Sequence, residues 1–190
     1  MVINVVFLHS KKYLYKKMKL LFTVLIMCTG FTGIAQNIPT AESILTAAYK
    51  QAAAENKNVF VIFHASWCGW CKKMDASMND VTTKKYFDEN YVRVHLTVQE
   101  NPAKKNLENP GAAEFLKKYK GEKAGLPFFI VLDKKGKLLG DSFVNGENLG
   151  CPASSDEVAS FIVLIKKTAK INEEGLQAIS NRFKLNIPQQ

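Results

Sequence analysis

The chain has 190 residues, 47% hydrophobic and 23% charged. That is enough for one domain with its own core and excludes a wholly disordered or collagen-like chain. The formal charge of +9 suggests nucleic acid until its location is checked. Lys11, Lys12, Lys16, Lys17 and Lys19 supply five of the 26 basic residues, and positions 1–35 hold no Asp or Glu. Without them, 21 basic residues face 17 acidic ones, a balance of +4. Arg93 and Arg182 are the only arginines, so planar phosphate-binding chemistry is scarce and no nucleic-acid partner is expected.

Residues 1–35 read as a targeting segment. Lys16, Lys17 and Lys19 precede the apolar run Leu20–Met27, and Gly33-Ile34-Ala35 has the small-x-small form of a cleavage site. The expectation is export with cleavage after Ala35, Met18 acting as the initiator. The apolar run falls short of the roughly 20 residues a spanning helix requires. Lipid attachment at Cys28 is disfavoured because the preceding residue is Met27. No membrane association beyond export is expected. Residues 36–190 then form one domain containing Cys68, Cys71 and Cys151, one close pair and one odd thiol.

In chain order, Ile44, Leu45, Ala48, Tyr49 and Ala52 recur at helical spacing within Ala41–Asn56. Val59–Phe63 is a continuous apolar run, as in a strand buried on both faces. Helices are predicted from near Cys68 and over Val81–Glu89. Val92, Val94, Leu96 and Val98 alternate as a strand, and Gln99–Gly111, with two prolines, reads as loop. Ala112–Tyr119 is predicted helical, Phe128–Leu132 a strand, and Lys137–Phe143 its hairpin partner across Asp133-Lys134-Lys135-Gly136. Ser154 and Glu157 form a capping box opening a helix that buries Val158, Phe161, Ile162 and Ile165. Glu173–Phe183 adds a short last helix. The fold class is α/β, a mixed sheet covered by helices.

Trp67-Cys68-Gly69-Trp70-Cys71-Lys72-Lys73 directly follows a buried strand and opens a helix. Unpaired N–H groups and the helix dipole there favour a thiolate at Cys68, and Lys72 and Lys73 add positive charge. Cys71, one turn later, is close enough to close a disulfide and expel a bound partner. Zinc sites also use C-x-x-C, but no second pair or further ligand set stands at the required spacing. Haem attachment needs His after the second cysteine, where this chain has Lys72.

With these residues the chain resembles the thioredoxin superfamily, specifically its exported bacterial members, over roughly Ala41 to Lys167. Gly125-Leu126-Pro127-Phe128-Phe129 matches the family's cis-proline loop. The resemblance implies a central mixed β-sheet with helices on both faces. It also implies a catalytic, redox-active pair Cys68–Cys71, with Pro127 in cis against it. Leu126 then offers its backbone to an extended substrate segment, while Trp67 and Trp70 contact partners. Trp70 departs from the proline of cytoplasmic members, and Ile62 stands where they carry a buried aspartate. Gln99–Gly111 resembles an insertion, and the polar tail beyond Lys167 is extra.

The expected function is extracytoplasmic, periplasmic thiol–disulfide exchange on protein thiols and disulfides by a monomer. It needs an upstream redox partner, no cofactor and no metal. Cys68 is expected to be the exposed, acidic thiol. A copper metallochaperone using the same cysteines and a redox-silent chaperone are the alternatives. Met74 and Met78 follow Cys71 at ligand-compatible spacing but fit core better. His64 could influence Cys68, although a packed histidine is the plainer reading. His95 reads as solvated or loosely paired, and Cys151 as a loop thiol.

Overall fold

The computed structural model describes residues 38–187; the predicted leader, its cleavage site and Cys28 lie outside them. Helix α1 (Ala41–Glu55) starts where Thr40 accepts the Ser43 N–H and stops at Asn56 in the left-handed region. Strand β1 (Asn58–His64) follows, then α2 (Gly69–Met78), α3 (Lys84–Asn90) and β2 (Tyr91–Thr97). A 3₁₀ turn (Pro102–Leu107) and α4 (Ala112–Lys118) lead to β3 (Phe128–Leu132) and β4 (Leu138–Asp141). A small ribbon of β5 (Phe143–Val144) and β6 (Glu147–Asn148) precedes α5 (Ser155–Thr168) and α6 (Glu173–Lys184).

The sheet order is β2-β1-β3-β4, with β1 and β2 parallel and the other pairings antiparallel. Its two faces bury different chemistry. On one, Val59, Val61, Phe63, Phe128, Ile130 and Leu132 meet the alanine-rich face of α1 and Ala112 and Leu116 of α4. On the other, Phe60, Ile62, Phe129 and Val131 meet Met74 and Met78 of α2, Phe87 of α3 and Phe161 of α5. Leu176, Ile179 and Phe183 of α6 complete that second core, so the C-terminal extension is packed structure with an apolar stripe. Phe183 lies 4.8 Å from Phe161 between ring centroids. The mixed, helix-covered sheet is the expected fold class.

Three expectations on element limits are corrected. The helix expected from Val81 begins at Lys84, because Asp80 accepts the Thr82 N–H and hydroxyl and holds those residues in a turn. Gln99–Gly111 contains the 3₁₀ turn, opened by Pro102. The strand expected over Lys137–Phe143 leaves the sheet at buried Ser142. Ser142 Oγ accepts the Phe129 N–H at 3.2 Å and donates to Asn148 Oδ1 at 2.7 Å, diverting the chain into the β5–β6 ribbon. The capping box at Ser154 is present, with Val158, Phe161 and Ile165 fully buried and Ile162 partly so.

Candidate active site

Cys68 is the N-cap of α2, extended at φ −77° and ψ 102°, and its Sγ accepts the Cys71 N–H at 3.1 Å. That is where a helix leaves its first N–H groups without intrahelical partners. Cys68 and Cys71 are joined by a disulfide. Both are buried, 3% and 2% exposed, in a small cluster with Ala65, against which Leu126 packs. The expectation of an exposed Cys68 is therefore corrected for this oxidised form. Its position at the helix start is as expected, but the loop from Ala65 and the Leu126 side chain cover it as fully as Cys71.

Two indoles flank the pair at the surface, Trp67 at 51% exposure and Trp70 at 41%. Trp67 Nε1 donates to the Gln99 carbonyl at 2.9 Å, and Gln99 Nε2 reaches the Glu122 carbonyl at 3.0 Å. Gln99 holds a φ of 53°, unusual for a non-glycine residue. Beside it, the buried Glu100 carboxylate accepts the Ser66 N–H at 2.5 Å and the Ser66 hydroxyl at 2.9 Å. Burial alone would raise the Glu100 pKa; the Ser66 bonds, with Lys104 and His64 nearby, outweigh it and hold the carboxyl below its usual range. Gln99 and Glu100 thus tie down the loop that delivers Cys68. Sequence reasoning missed both, since no local spacing links residues 99–100 to 66–67.

The Leu126–Pro127 peptide is cis, as the resemblance implies. Asn148 Nδ2 donates to the Pro127 carbonyl at 3.1 Å and the Gly125 carbonyl at 3.2 Å, so the β5–β6 ribbon buttresses this loop. Pro127 is buried and Leu126 half-buried, with Leu126 reaching the cysteine cluster.

Ile62 is buried on the aromatic face of the sheet, opposite His95 on β2. His95 is a partly exposed, paired strand residue: its Nε2 lies 2.7 Å from Asp75 Oδ1 on α2. The His64 ring stands edge-on to His95 at 5.1 Å, with Nε2 3.1 Å from Thr97 Oγ1. Burial first, and His95 next, push the His64 pKa below its ordinary value, against Asp75 and Glu100. Met74 and Met78 lie fully buried in the aromatic core, apart from the cysteine cluster, as core-filling residues do. Cys151 is a buried thiol in that same core, 7% exposed.

The cysteine pair at a strand–helix junction and the cis-proline loop beside it define a thioredoxin-like site. Residues 45–149 match the model of the thioredoxin-like domain family, and the chain belongs to that family. Among solved structures, a disulphide isomerase from Xylella fastidiosa Temecula1 is 19% identical at a TM-score of 0.47, covering 78% of this chain and 96% of that one. The oxidised C-terminal domain of DsbD from Neisseria meningitidis is 20% identical at 0.43, covering 70% and 99%. Its reduced form is 23% identical at 0.44, covering 69% and 99%.

Proposed function

We propose that the chain is an extracytoplasmic thiol–disulfide oxidoreductase acting on protein partners. The observation that carries this reading is the Cys68–Cys71 disulfide capping α2, beneath two exposed indoles, in a thioredoxin-like domain. In the reduced protein, the Cys68 thiolate attacks one sulfur of a partner disulfide. The partner's other sulfur leaves as thiolate and takes up a proton. Cys71, deprotonated, then attacks Cys68 Sγ, reforming the internal disulfide and releasing the partner's remaining thiol. Two electrons pass to the partner, and an upstream dithiol must return them; the same steps reversed oxidise a dithiol.

Trp67, Trp70, Leu126 and Pro127 form the partner-facing rim. The backbone N–H and C=O of Leu126 take no hydrogen-bond partner among the described residues, which suits pairing with an extended segment. The leader-like residues 1–35 support export to the periplasm, leaving residues 36–190 as one monomeric domain with a helical extension.

Dithiothreitol-driven reduction of insulin disulfides tests the reading. Turnover is expected in the wild type and lost in both Cys68→Ser and Cys71→Ser, with Cys71→Ser trapping a mixed disulfide. Tight stoichiometric copper without turnover would favour a metallochaperone instead. No turnover and no copper would leave a redox-silent chaperone.

A further inference from the structure

The C-terminal extension reaches the redox site through one buried asparagine. Asn186, just past α6, accepts from the Ser77 hydroxyl at 3.0 Å and from Arg182 Nη1 at 3.4 Å through Oδ1. Its Nδ2 donates to the Pro152 carbonyl at 3.1 Å and to Cys151 Sγ at 3.4 Å. Arg182 is in turn paired with Asp80 at 2.8 Å. Both ends of the amide are occupied, so the Asn186 backbone is fixed against α2. Its carbonyl accepts Lys73 Nζ at 3.2 Å. That same ammonium stands 4.4 Å from the centroid of the Trp70 ring. Lys73 makes no ion pair among the described residues, so this carbonyl and this ring are what hold its long side chain.

We propose that Lys73 is a positioning residue for partner recognition, fixing the Trp70 indole between the two cysteines and making the C-terminal extension part of the redox site. It rests on the reading of Trp70 as a partner contact. The physics is direct: an ammonium over an indole face is attracted by the ring's negative quadrupole. A ring already held in one posture loses less freedom when a partner docks. Arg182 and Asn186 lie beyond residue 149, where the family match ends, so this device is added to the domain from outside it.

The test uses the full chain with Trp67→Phe, which leaves Trp70 as its one tryptophan. In that background Lys73→Met should raise acrylamide quenching of Trp70, as the ratio of released to held ring rises roughly two- to fivefold on losing an exposed cation–π contact. Lys73→Arg should restore it. Asn186→Ala should raise quenching in the same direction, and Lys73→Met should add little on top of it. In chains retaining Trp67, Lys73→Met should raise KM for a disulfide peptide by a similar factor while kcat holds. Unchanged quenching in Lys73→Met overturns the proposal. So does a shift confined to the pH profile of Cys68 alkylation, because Lys73 would then act only on the thiolate. An effect of Lys73→Met that is undiminished in Asn186→Ala overturns the part played by the extension. If the wild type reduces no disulfide, the proposed function fails, while the quenching arm still decides whether Lys73 holds the ring.

Discussion

Two sulfur environments in this molecule are almost equally buried and chemically opposite. Cys68 and Cys71 sit in a small apolar cluster at a helix start, where a backbone N–H points at Cys68 Sγ. Cys151 sits in the aromatic core, where Asn186 Nδ2 at 3.4 Å is the one hydrogen-bond donor to its sulfur among the described residues. Burial pushes the Cys151 thiol up to about 12; Glu157 and Asp75 push the same way, and Lys73 and Arg182 oppose without prevailing. On the proposed function, reactivity should follow which dipoles the fold aims at the sulfur and whether a partner can approach, and not the fraction of surface covered.

The sharpest way to break this comparison is alkylation of the fully reduced protein at neutral pH. A thiol at about 12 is roughly a thousandfold less ionised there than a free thiol at about 8.5. Cys68 should therefore label first, with Cys151 at least about a thousandfold slower until the protein is unfolded. Mass mapping that finds Cys151 or Cys71 labelled first would sink the distinction.

Opening the aromatic core should blur it. Phe183→Ala should cost about 3–5 kcal/mol by urea denaturation, as large buried truncations do. It should also speed Cys151 labelling without changing the order of the other two. Leu185→Ala, at an exposed neighbour, should stay within about 0.5 kcal/mol. Equal effects from the two would remove α6 from the core.

A third change is made at Ile62, in the aromatic core. In the proposed exchange Cys71 loses its proton in a buried site, and Ile62, standing where the resemblance implies a carboxylate, offers none to take it. Stopped-flow decay of a Cys68 adduct should slow as pH falls, and Ile62→Asp should speed it while costing about 1–3 kcal/mol of stability. A wild-type decay that is rapid and flat between about pH 6 and 8 would make Ile62 merely a core residue.

The smallest effect concerns His64. Its lowered pKa means the folded protein takes up this proton less readily than the unfolded chain. Its stability contribution is full above the unfolded value of about 6.5 and is lost as pH falls through the lower folded one. His95, Asp75 and Glu100 all face this ring's surroundings, so the comparison must be made with them intact. His64→Gln should flatten the decline in urea midpoint between about pH 7 and 5. An unchanged slope would assign the decline to its neighbours.

Much of this site is legible because its signals are local. Trp67–Lys73 carries both cysteines and the helix start within seven residues, and Gly125–Phe129 carries the proline loop. Val59–Phe63 reads as a buried strand because both its faces are covered. Ser154 and Glu157 announce α5 by a reciprocal hydrogen-bond pattern with fixed spacing. The supports were not legible because each is a long-range pairing: Glu100 to Ser66, Asp75 to His95, Asn148 to Pro127, Asn186 to Lys73. The polar tail hid Leu176, Ile179 and Phe183 because three apolar residues among charges read as surface until a partner face is known.

Gly175 gives the docking of α6 a recognisable signature. A Cβ at that position would come within 2.6 Å of both the Tyr86 ring and Ile171 Cγ2, so the helix can seat only where its first turn is bare. Asn172 caps the same turn through the Gly175 N–H. Other thioredoxin-like chains that carry this appendage should therefore betray it by an Asn-x-x-Gly-Leu start, with apolar residues three and seven places after the leucine and an asparagine three further on. A database scan for that pattern downstream of a C-x-x-C would sort relatives that wear the extension from those whose chain ends earlier.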